Sequence, residues 1–100
     1  MDDSAHDPRS IAQEVAILWS DFGPFLKRLR VRLGISQERL AAQLGCDRTY
    51  IWRLEHGRNH PSRIFLHDLE QTIVLTAQEA AALERFVSMR AYSTGEALGQ

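Results

Sequence analysis

One hundred residues, 44% of them apolar and 25% charged, suffice for one globular domain with a modest core but not for two. No apolar run reaches the ~20 residues of a membrane-spanning helix, and the acidic N-terminus lacks the features of a signal peptide, so we expect neither. A single cysteine, Cys46, excludes an internal disulfide and fits a cytoplasmic protein, and we expect it to fill space in the core.

The charge is distributed unevenly along the chain, although the net value is only −1. Residues 1–23 carry one Arg against five acids, and residues 66–100 carry two Arg against five acids. Residues 24–65 carry nine Lys and Arg against three acids, a net charge of +6. Charged runs are often only solvated surface, but a basic segment that coincides with a binding motif favours nucleic acid.

The N-terminal region contains an acidic start followed by one predicted helix. Residues 1–9 are polar and acidic, and we expect them to be disordered. Ser10 and Gln13 have the spacing of a capping box that begins an amphipathic helix. Its apolar face is formed by Ile11, Val15, Leu18 and Phe22, with Trp19 beside it. This helix packs on its own domain or helps form a dimer interface, and both alternatives remain open.

The next helix begins near Asp21, which we expect to be its N-cap. Pro24 is tolerated in the first turn because its missing N–H would have no helical partner there. The predicted core face contains Phe25, Leu26, Leu29 and Leu33. Gly34 ends the helix, since glycine readily adopts the left-handed conformation at a helix C-terminus.

Residues 36–57 have the pattern of a helix-turn-helix. Ser36 and Asp47 are suitable N-caps, and Gly45 and Gly57 follow the two helices that they begin. The apolar faces comprise Leu40, Ala41 and Leu44 in the first helix and Ile51 and Leu54 in the second. Two helices joined by so short a turn cross steeply, and the small Ala41 suits the crossing. An ordinary pair of core helices would have the same spacing.

Two further helices are predicted after this motif. Pro61 disfavours helix at His60, and Ser62 caps a fourth helix whose apolar face is Phe65, Leu66, Leu69 and Ile73. Thr76 and Glu79 form a second capping box. The fifth helix continues with Leu83, Phe86 and Val87. No strand-like alternation occurs, so we predict one helical domain over residues 10–92 and a flexible tail over residues 93–100.

These residues resemble the repressor/Cro-like helix-turn-helix regulators of the xenobiotic-response-element type. The similarity covers about residues 22–86 and lies in Arg30, Ser36-Gln37-Glu38, Leu40-Ala41, Leu44-Gly45, Ile51, Glu55-x-Gly57 and Pro61-Ser62. It implies an all-α, compact five-helix repressor-like DNA-binding domain, to which this chain adds one N-terminal helix. The resemblance also supplies Arg30 as the partner of Glu55, and we predict a partly buried ion pair between them.

Side chains on the outer face of the second motif helix, residues 47–56, are the predicted readers of DNA. At 100° per residue, Ile51 and Leu54 lie on the buried side and Thr49 and Arg53 on the opposite side. Arg48 lies in the first turn and can project ahead of the helix. Because the N-terminal part of this helix enters the major groove, Arg48, Thr49 and Arg53 are the predicted base contacts.

A second set of residues is predicted to contact phosphate. Gln37 matches a position of the resembled family that contacts the backbone and steadies a recognition-helix side chain, and its helix N-terminus adds positive charge. Arg58 and Asn59 lie in the loop after the recognition helix. Arg39, Trp52 and His56 complete the set. For Trp52 the alternative is that its side chain covers the flank of the domain and does not contact DNA.

Metal binding and catalysis are not expected. His56 and His60 are four residues apart, but Gly57 and Pro61 interrupt any helix between them and no cysteine pair accompanies them. Nothing in the sequence places a base beside a nucleophile, and there is no Gly-rich phosphate loop. We therefore expect neither a cofactor nor an enzyme.

The predicted function is transcriptional regulation by sequence-specific binding to double-stranded DNA in the cytoplasm, associated with the nucleoid. We expect a homodimeric repressor that reads the major groove of a pseudo-palindromic operator. The resemblance points to the fifth helix for the interface, with Phe86, Val87, Met89 and Tyr92, while Ile11, Val15 and Leu18 form the competing surface. The alternatives are a DNA-binding antitoxin that holds a toxin partner, and a protein-interaction adaptor that keeps the fold without reading bases.

Overall fold

The computed structural model describes residues 19–94, with the side chains of residues 19–90, and this part of the chain is entirely helical apart from its connections. The helices are α1 (Phe22–Leu33), α2 (Gln37–Leu44), α3 (Arg48–Glu55), α4 (Arg63–Thr72) and α5 (Ala77–Thr94). The prediction of an all-α, five-helix domain is confirmed. Trp19 and Ser20 are also helical, but the remainder of the predicted N-terminal helix lies outside the described residues. No helix between residues 19 and 94 is long and apolar enough to cross a bilayer.

Side-chain caps begin three of the helices, as the sequence predicts. The side chains of Ser36, Asp47 and Ser62 each accept a hydrogen bond of 3.0 Å from the backbone N–H three residues later. Thr76 and Glu79 form a reciprocal capping box ahead of α5, with bonds of 2.9 and 3.1 Å. Each cap satisfies an N–H that has no partner within its helix.

Asp21 does not cap α1, and this prediction is wrong. Its dihedral angles are helical, with φ −85° and ψ −14°, and its side chain makes no capping hydrogen bond. An N-cap residue normally has an extended backbone, which aims its side chain at the amides of the first turn. Asp21 instead uses its backbone carbonyl to accept the N–H of Phe25 at 3.0 Å, and the two residues before it, Trp19 and Ser20, are already helical.

One hydrophobic core joins all five helices. Its most deeply buried members are Phe22, Leu26, Leu29, Leu40, Ile51, Leu54, Leu66, Leu69 and Leu83. Phe86 of α5 lies among aromatic rings of the N-terminal part, with ring centroids 5.0 Å from Phe22, 5.5 Å from Phe25 and 5.9 Å from Trp19. Trp19 also stacks on His60 at 5.4 Å, so it anchors the start of the described chain to the domain.

This packing corrects part of the predicted dimer surface. Phe86 is only 5% exposed and Met89 only 8% exposed, so both belong to the core of the protomer. Helical periodicity alone does not distinguish a face that packs on its own core from one that packs on a second copy. Val87 remains 36% exposed. Ile11, Val15 and Leu18 lie outside the described residues, as does the side chain of Tyr92.

Gly23 allows the first turn of α1 to lie directly against the end of α3. A Cβ atom at this position would be 2.6 Å from the carbonyl oxygen of Glu55 and 2.9 Å from that of Leu54. Both neighbours are backbone atoms, which cannot move aside without shifting the helix. The close approach of α1 and α3 therefore requires glycine here.

We expect Gly23→Ala to destabilise the protein by about 1–3 kcal/mol, because the added methyl group forces the two helices apart. Helix propensity alone would predict the opposite sign, a gain of about 1 kcal/mol. Denaturant unfolding followed by circular dichroism measures the difference. Lys27→Ala, at an exposed position of the same helix, is the control and should change stability by less than about 0.5 kcal/mol. A more stable Gly23→Ala protein would contradict the close packing.

Candidate nucleic-acid interface

The turn between α2 and α3 determines the direction in which α3 begins. The N–H groups of Gly45 and Cys46 donate to the carbonyls of Ala42 and Ala41 at 3.4 and 3.0 Å, and Gly45 has a φ of 73°. These two bonds form a Schellman motif, in which the helix ends at a glycine in the left-handed conformation. Asp47 then caps α3 within two residues. The side chain of Cys46 packs partly buried against the core.

The Cys46 thiol is not a reactive group. Burial raises the pKa of Cys46, and the negative charges of Asp47 and Asp68 raise it further. Since the thiolate is the nucleophilic form, a raised pKa keeps this side chain neutral and unreactive at physiological pH. These observations agree with the space-filling role expected from the sequence.

α3 presents one face to the core and leaves the other accessible. Ile51 and Leu54 are buried, whereas Arg48, Thr49 and Arg53 are all exposed. Tyr50 lies between the two faces: its ring meets Phe65 edge-on at 5.4 Å, and its hydroxyl accepts the N–H of Ser62 at 3.2 Å. All three predicted base contacts are therefore solvent-exposed on α3.

Beneath this surface, Arg30, Gln37 and Glu55 form a hydrogen-bonded cluster, here called the Glu55 network. Arg30 donates to both carboxylate oxygens, from Nε at 2.8 Å and from Nη2 at 3.1 Å. Gln37 Nε2 donates to Glu55 Oε1 at 3.0 Å, and Arg30 Nη1 donates to the carbonyl of Ile35 at 3.2 Å. The side chain of Glu55 is 2% exposed and that of Arg30 is 16% exposed. The network therefore connects α1, α2 and the end of α3.

The Glu55 carboxylate remains charged despite its burial. Burial alone would raise the pKa of Glu55, but hydrogen bonds from Arg30 and Gln37 and the positive charges of Arg30 and Lys27 outweigh it. The resulting pKa lies below the ordinary value of 4.5. A carboxyl group whose pKa is lowered in the folded state stabilises the protein above its unfolded pKa, and this stabilisation is lost as the pH falls through the folded pKa.

The remaining predicted phosphate contacts lie around the end of α3 and the start of α2. Trp52 stacks on His56 with ring centroids 4.0 Å apart, and the guanidinium carbon of Arg58 lies 5.9 Å from the centre of the Trp52 ring. His56 Nδ1 is 2.9 Å from the Trp52 carbonyl oxygen. Arg39 is exposed on α2. Trp52 is half-buried, and its ring contacts both His56 and Arg58 at the edge of the exposed face of α3.

Arg53 and Asn59 meet at the same end of α3. Arg53 Nε donates to Asn59 Oδ1 at 3.3 Å, and the backbone N–H groups of Arg58 and Asn59 donate to the Arg53 carbonyl at 2.8 and 3.4 Å. Gly57, with a φ of 71°, reverses the chain so that residues 58 and 59 come back to Arg53. A base-contact candidate and a phosphate-contact candidate are therefore bonded to each other.

Two structural features of the site escaped the sequence analysis. Gly23 gave no signal, since a glycine near a helix start is common. Arg32 binds Glu79 through bonds of 2.6 and 2.8 Å and also donates to the carbonyl of Val74 at 3.0 Å. No local pattern indicates a pair 47 residues apart.

Among the described residues no group of three His, Cys, Asp or Glu side chains is arranged to hold a metal ion.

We expect Glu55→Gln to lower the free energy of unfolding by about 1–3 kcal/mol at pH 7, because it leaves the partly buried Arg30 guanidinium without a charged partner. Glu79→Gln is the matched control: it removes the exposed ion pair with Arg32 while keeping a capping-box side chain, and the loss should be smaller. Denaturant unfolding of both variants measures the difference. Equal losses would show that burial of the Glu55 network does not matter.

The same variant tests the pH dependence. Wild-type stability should fall as the pH is lowered from about 5 to 3, and Glu55→Gln should show a shallower fall because one titrating carboxylate is gone. Some dependence must remain, since the hydrogen bond from Arg32 also lowers the pKa of Glu79. An unchanged pH profile would mean that Glu55 is not held in its charged form.

Comparisons with known proteins agree with this geometry. Residues 21–86 match the helix-turn-helix domain family. The control protein C.MunI of a Mycoplasma species is 37% identical over 59 residues, which cover 58% of this chain and 80% of that protein. An uncharacterized HTH-type transcriptional regulator, y4dJ, of Sinorhizobium fredii (strain NBRC 101917 / NGR234) is 37% identical over 51 residues, covering 51% of this chain and 66% of the relative. No solved structure matches significantly.

The family match extends from the residue before α1 into α5, and so includes the turn, the open face of α3 and the Glu55 network. On this match, which spans more than half of its residues, the chain belongs to the helix-turn-helix domain family.

Proposed function

We propose that this protein is a sequence-specific transcriptional regulator that binds double-stranded DNA, acting as a dimeric repressor of the repressor/Cro-like type. Family membership and the regulators named among its relatives support DNA binding and transcriptional regulation. The single observation that carries the proposal is the exposure of Arg48, Thr49 and Arg53 on the same short helix, α3. A protein-interaction adaptor would have no need of two arginines at these positions.

The chemistry of these three side chains suits major-groove recognition. An arginine can donate two hydrogen bonds to O6 and N7 of guanine, and a threonine methyl group can pack against the methyl group of thymine. Each arginine contact of this kind contributes about 1–3 kcal/mol of discrimination between bases. In helix-turn-helix proteins the N-terminal part of the second motif helix enters the major groove, and in this chain Arg48 and Thr49 lie in the first turn of that helix.

Phosphate contacts would hold α3 in register on the duplex. Arg39 on α2 and Arg58 after α3 are both exposed, and the N–H groups at the start of α2 favour an anion nearby. Gln37 has its amide nitrogen bonded to Glu55, so it would face phosphate from a fixed position. Trp52 and His56 would lie along the same backbone. Such contacts add affinity without reading sequence.

Dimer formation would complete the site, because one domain of this size buries only about 600–1,000 Å² against DNA. Two copies would place their α3 helices about 34–36 Å apart on a pseudo-palindromic operator. The described surface supporting an interface through α5 is a groove between α4 and α5, where Val87 is 36% exposed and Ile64 is 74% exposed.

Selection from random duplexes with the full-length protein should enrich one pseudo-palindromic motif. Arg48→Ala and Arg53→Ala should each lower affinity for that motif by about 1–3 kcal/mol and relax preference at one base pair per half-site. Contacts with about six phosphates should reduce affinity about 10³-fold between 50 and 200 mM salt. Fluorescence anisotropy across a salt series measures both effects. Failure to enrich any motif, together with a flat salt dependence, would exclude this function.

The dimer interface is tested by two charge insertions in the full chain. Val87→Glu should shift the protein from dimer to monomer in sedimentation velocity, since a charge buried in an apolar interface is unfavourable. Val15→Glu, on the competing N-terminal face, is the comparison and should leave the dimer intact. The reverse pattern would place the interface on the N-terminal helix instead of α5.

A further inference from the structure

We infer that Asn59 is a positioning residue for sequence recognition: it holds the Arg53 guanidinium so that its two terminal nitrogens face a single guanine. The inference rests on the proposed function and deepens it, because it specifies a G·C pair as the base pair read by Arg53. It also replaces the phosphate contact predicted for Asn59 from the sequence.

Asn59 contacts Arg53 through both its backbone and its side chain. The Asn59 N–H donates to the Arg53 carbonyl at 3.4 Å, and Asn59 Oδ1 accepts from Arg53 Nε at 3.3 Å. The backbone bond is made possible by Gly57, whose positive φ turns the chain back along α3. The N–H of Arg58 donates to the same carbonyl at 2.8 Å and strengthens this closure. Residues 53 and 59 therefore contact each other in the protein without DNA.

The bond to Nε leaves the base-reading edge of the guanidinium available. A guanidinium has five N–H donors, of which Nε carries one and the two terminal nitrogens carry four. In residues 19–94 Arg53 makes no other side-chain hydrogen bond, so both terminal nitrogens can donate to O6 and N7 of guanine. Holding a long side chain in one orientation beforehand lowers the entropy lost on binding. No comparable partner within that range holds Arg48.

Asn59 differs from its neighbour Arg58 in exposure and in the partner of its side chain. Asn59 is half-buried and its oxygen is occupied by Arg53. Arg58, one residue earlier, is exposed and lies over the Trp52 ring. The loop therefore leaves Arg58 exposed and brings the side-chain oxygen of Asn59 back to Arg53.

The test uses the full-length protein and the duplex recovered by selection with the wild type, together with duplexes in which each base pair is changed in turn. Binding is measured by anisotropy at several salt concentrations for Asn59→Ala, Asn59→Asp, Arg53→Ala and the double variant Arg53→Ala/Asn59→Ala. Arg58→Ala is the matched phosphate control. Thermal melting of every variant checks that the domain remains folded.

We expect Asn59→Ala to reduce the preference for G·C at the Arg53 position about fivefold, with other positions and the salt slope unchanged. Asn59→Asp should preserve that preference, because its carboxylate still accepts from Nε. The double variant should bind each duplex as strongly as Arg53→Ala does, since Asn59 acts through Arg53. Arg58→Ala, in contrast, should weaken binding to all duplexes and reduce the salt slope by about 1.

Two results would overturn the inference alone. One is a uniform loss across all duplexes for Asn59→Ala with a reduced salt slope, which is the signature of a phosphate contact. The other is loss of the G·C preference in Asn59→Asp as well as in Asn59→Ala. If Arg53→Ala leaves every base preference intact, both the inference and the base-reading role of Arg53 fail. If Arg53→Ala removes one preference that Asn59→Ala does not affect, only the inference fails.

Discussion

The buried Glu55 carboxylate at the end of α3 is the group on which the arrangement of this domain depends. Apolar packing by Ile51 and Leu54 holds α3 against the core, but such contacts have no preferred direction. Hydrogen bonds to a charged group are directional and are strengthened by the low dielectric around them. Because Arg30 lies on α1 and Gln37 on α2, the Glu55 network fixes the end of α3 against two other helices. Gly23 allows α1 to approach closely enough for this arrangement.

The exposed face of α3 carries positive charge, and the same arrangement contributes to this. Two of the three acids in the basic segment lie at the ends of α3, where their charge would oppose a polyanion. Glu55 is paired with Arg30, and Asp47 is used as the N-cap of α3. Both therefore have structural partners, while Arg48 and Arg53 remain exposed between them. The charged side chains that α3 itself leaves exposed are therefore both arginines.

The position of Phe86 illustrates the limit of helical periodicity. The sequence places Phe86, Val87 and Met89 within one turn of α5, and any of them could have faced a second copy of the chain. In the structure, Trp19, Phe22 and Phe25 surround Phe86, so the protomer uses this residue in its own core. Val87 is left at the surface beside Ile64. Aromatic residues from a distant part of the chain decided which side chains remained available.

Local signals in the sequence determined the five helices between residues 22 and 94, three of the side-chain caps, the capping box at Thr76 and the exposure of Arg48, Thr49 and Arg53 on α3. These features depend on interactions within one or two helical turns, where residue type and spacing are sufficient. The Arg30–Glu55 pairing was indicated only by resemblance to a family, since no local rule connects residues 25 positions apart. Tertiary structure alone decided the close contact at Gly23, the Arg32–Glu79 pair, the burial of Phe86 and Met89, and the return of Asn59 to Arg53. Each of these depends on how segments meet in space, because contact distances between elements are set by the packing of the entire core and not by any one segment.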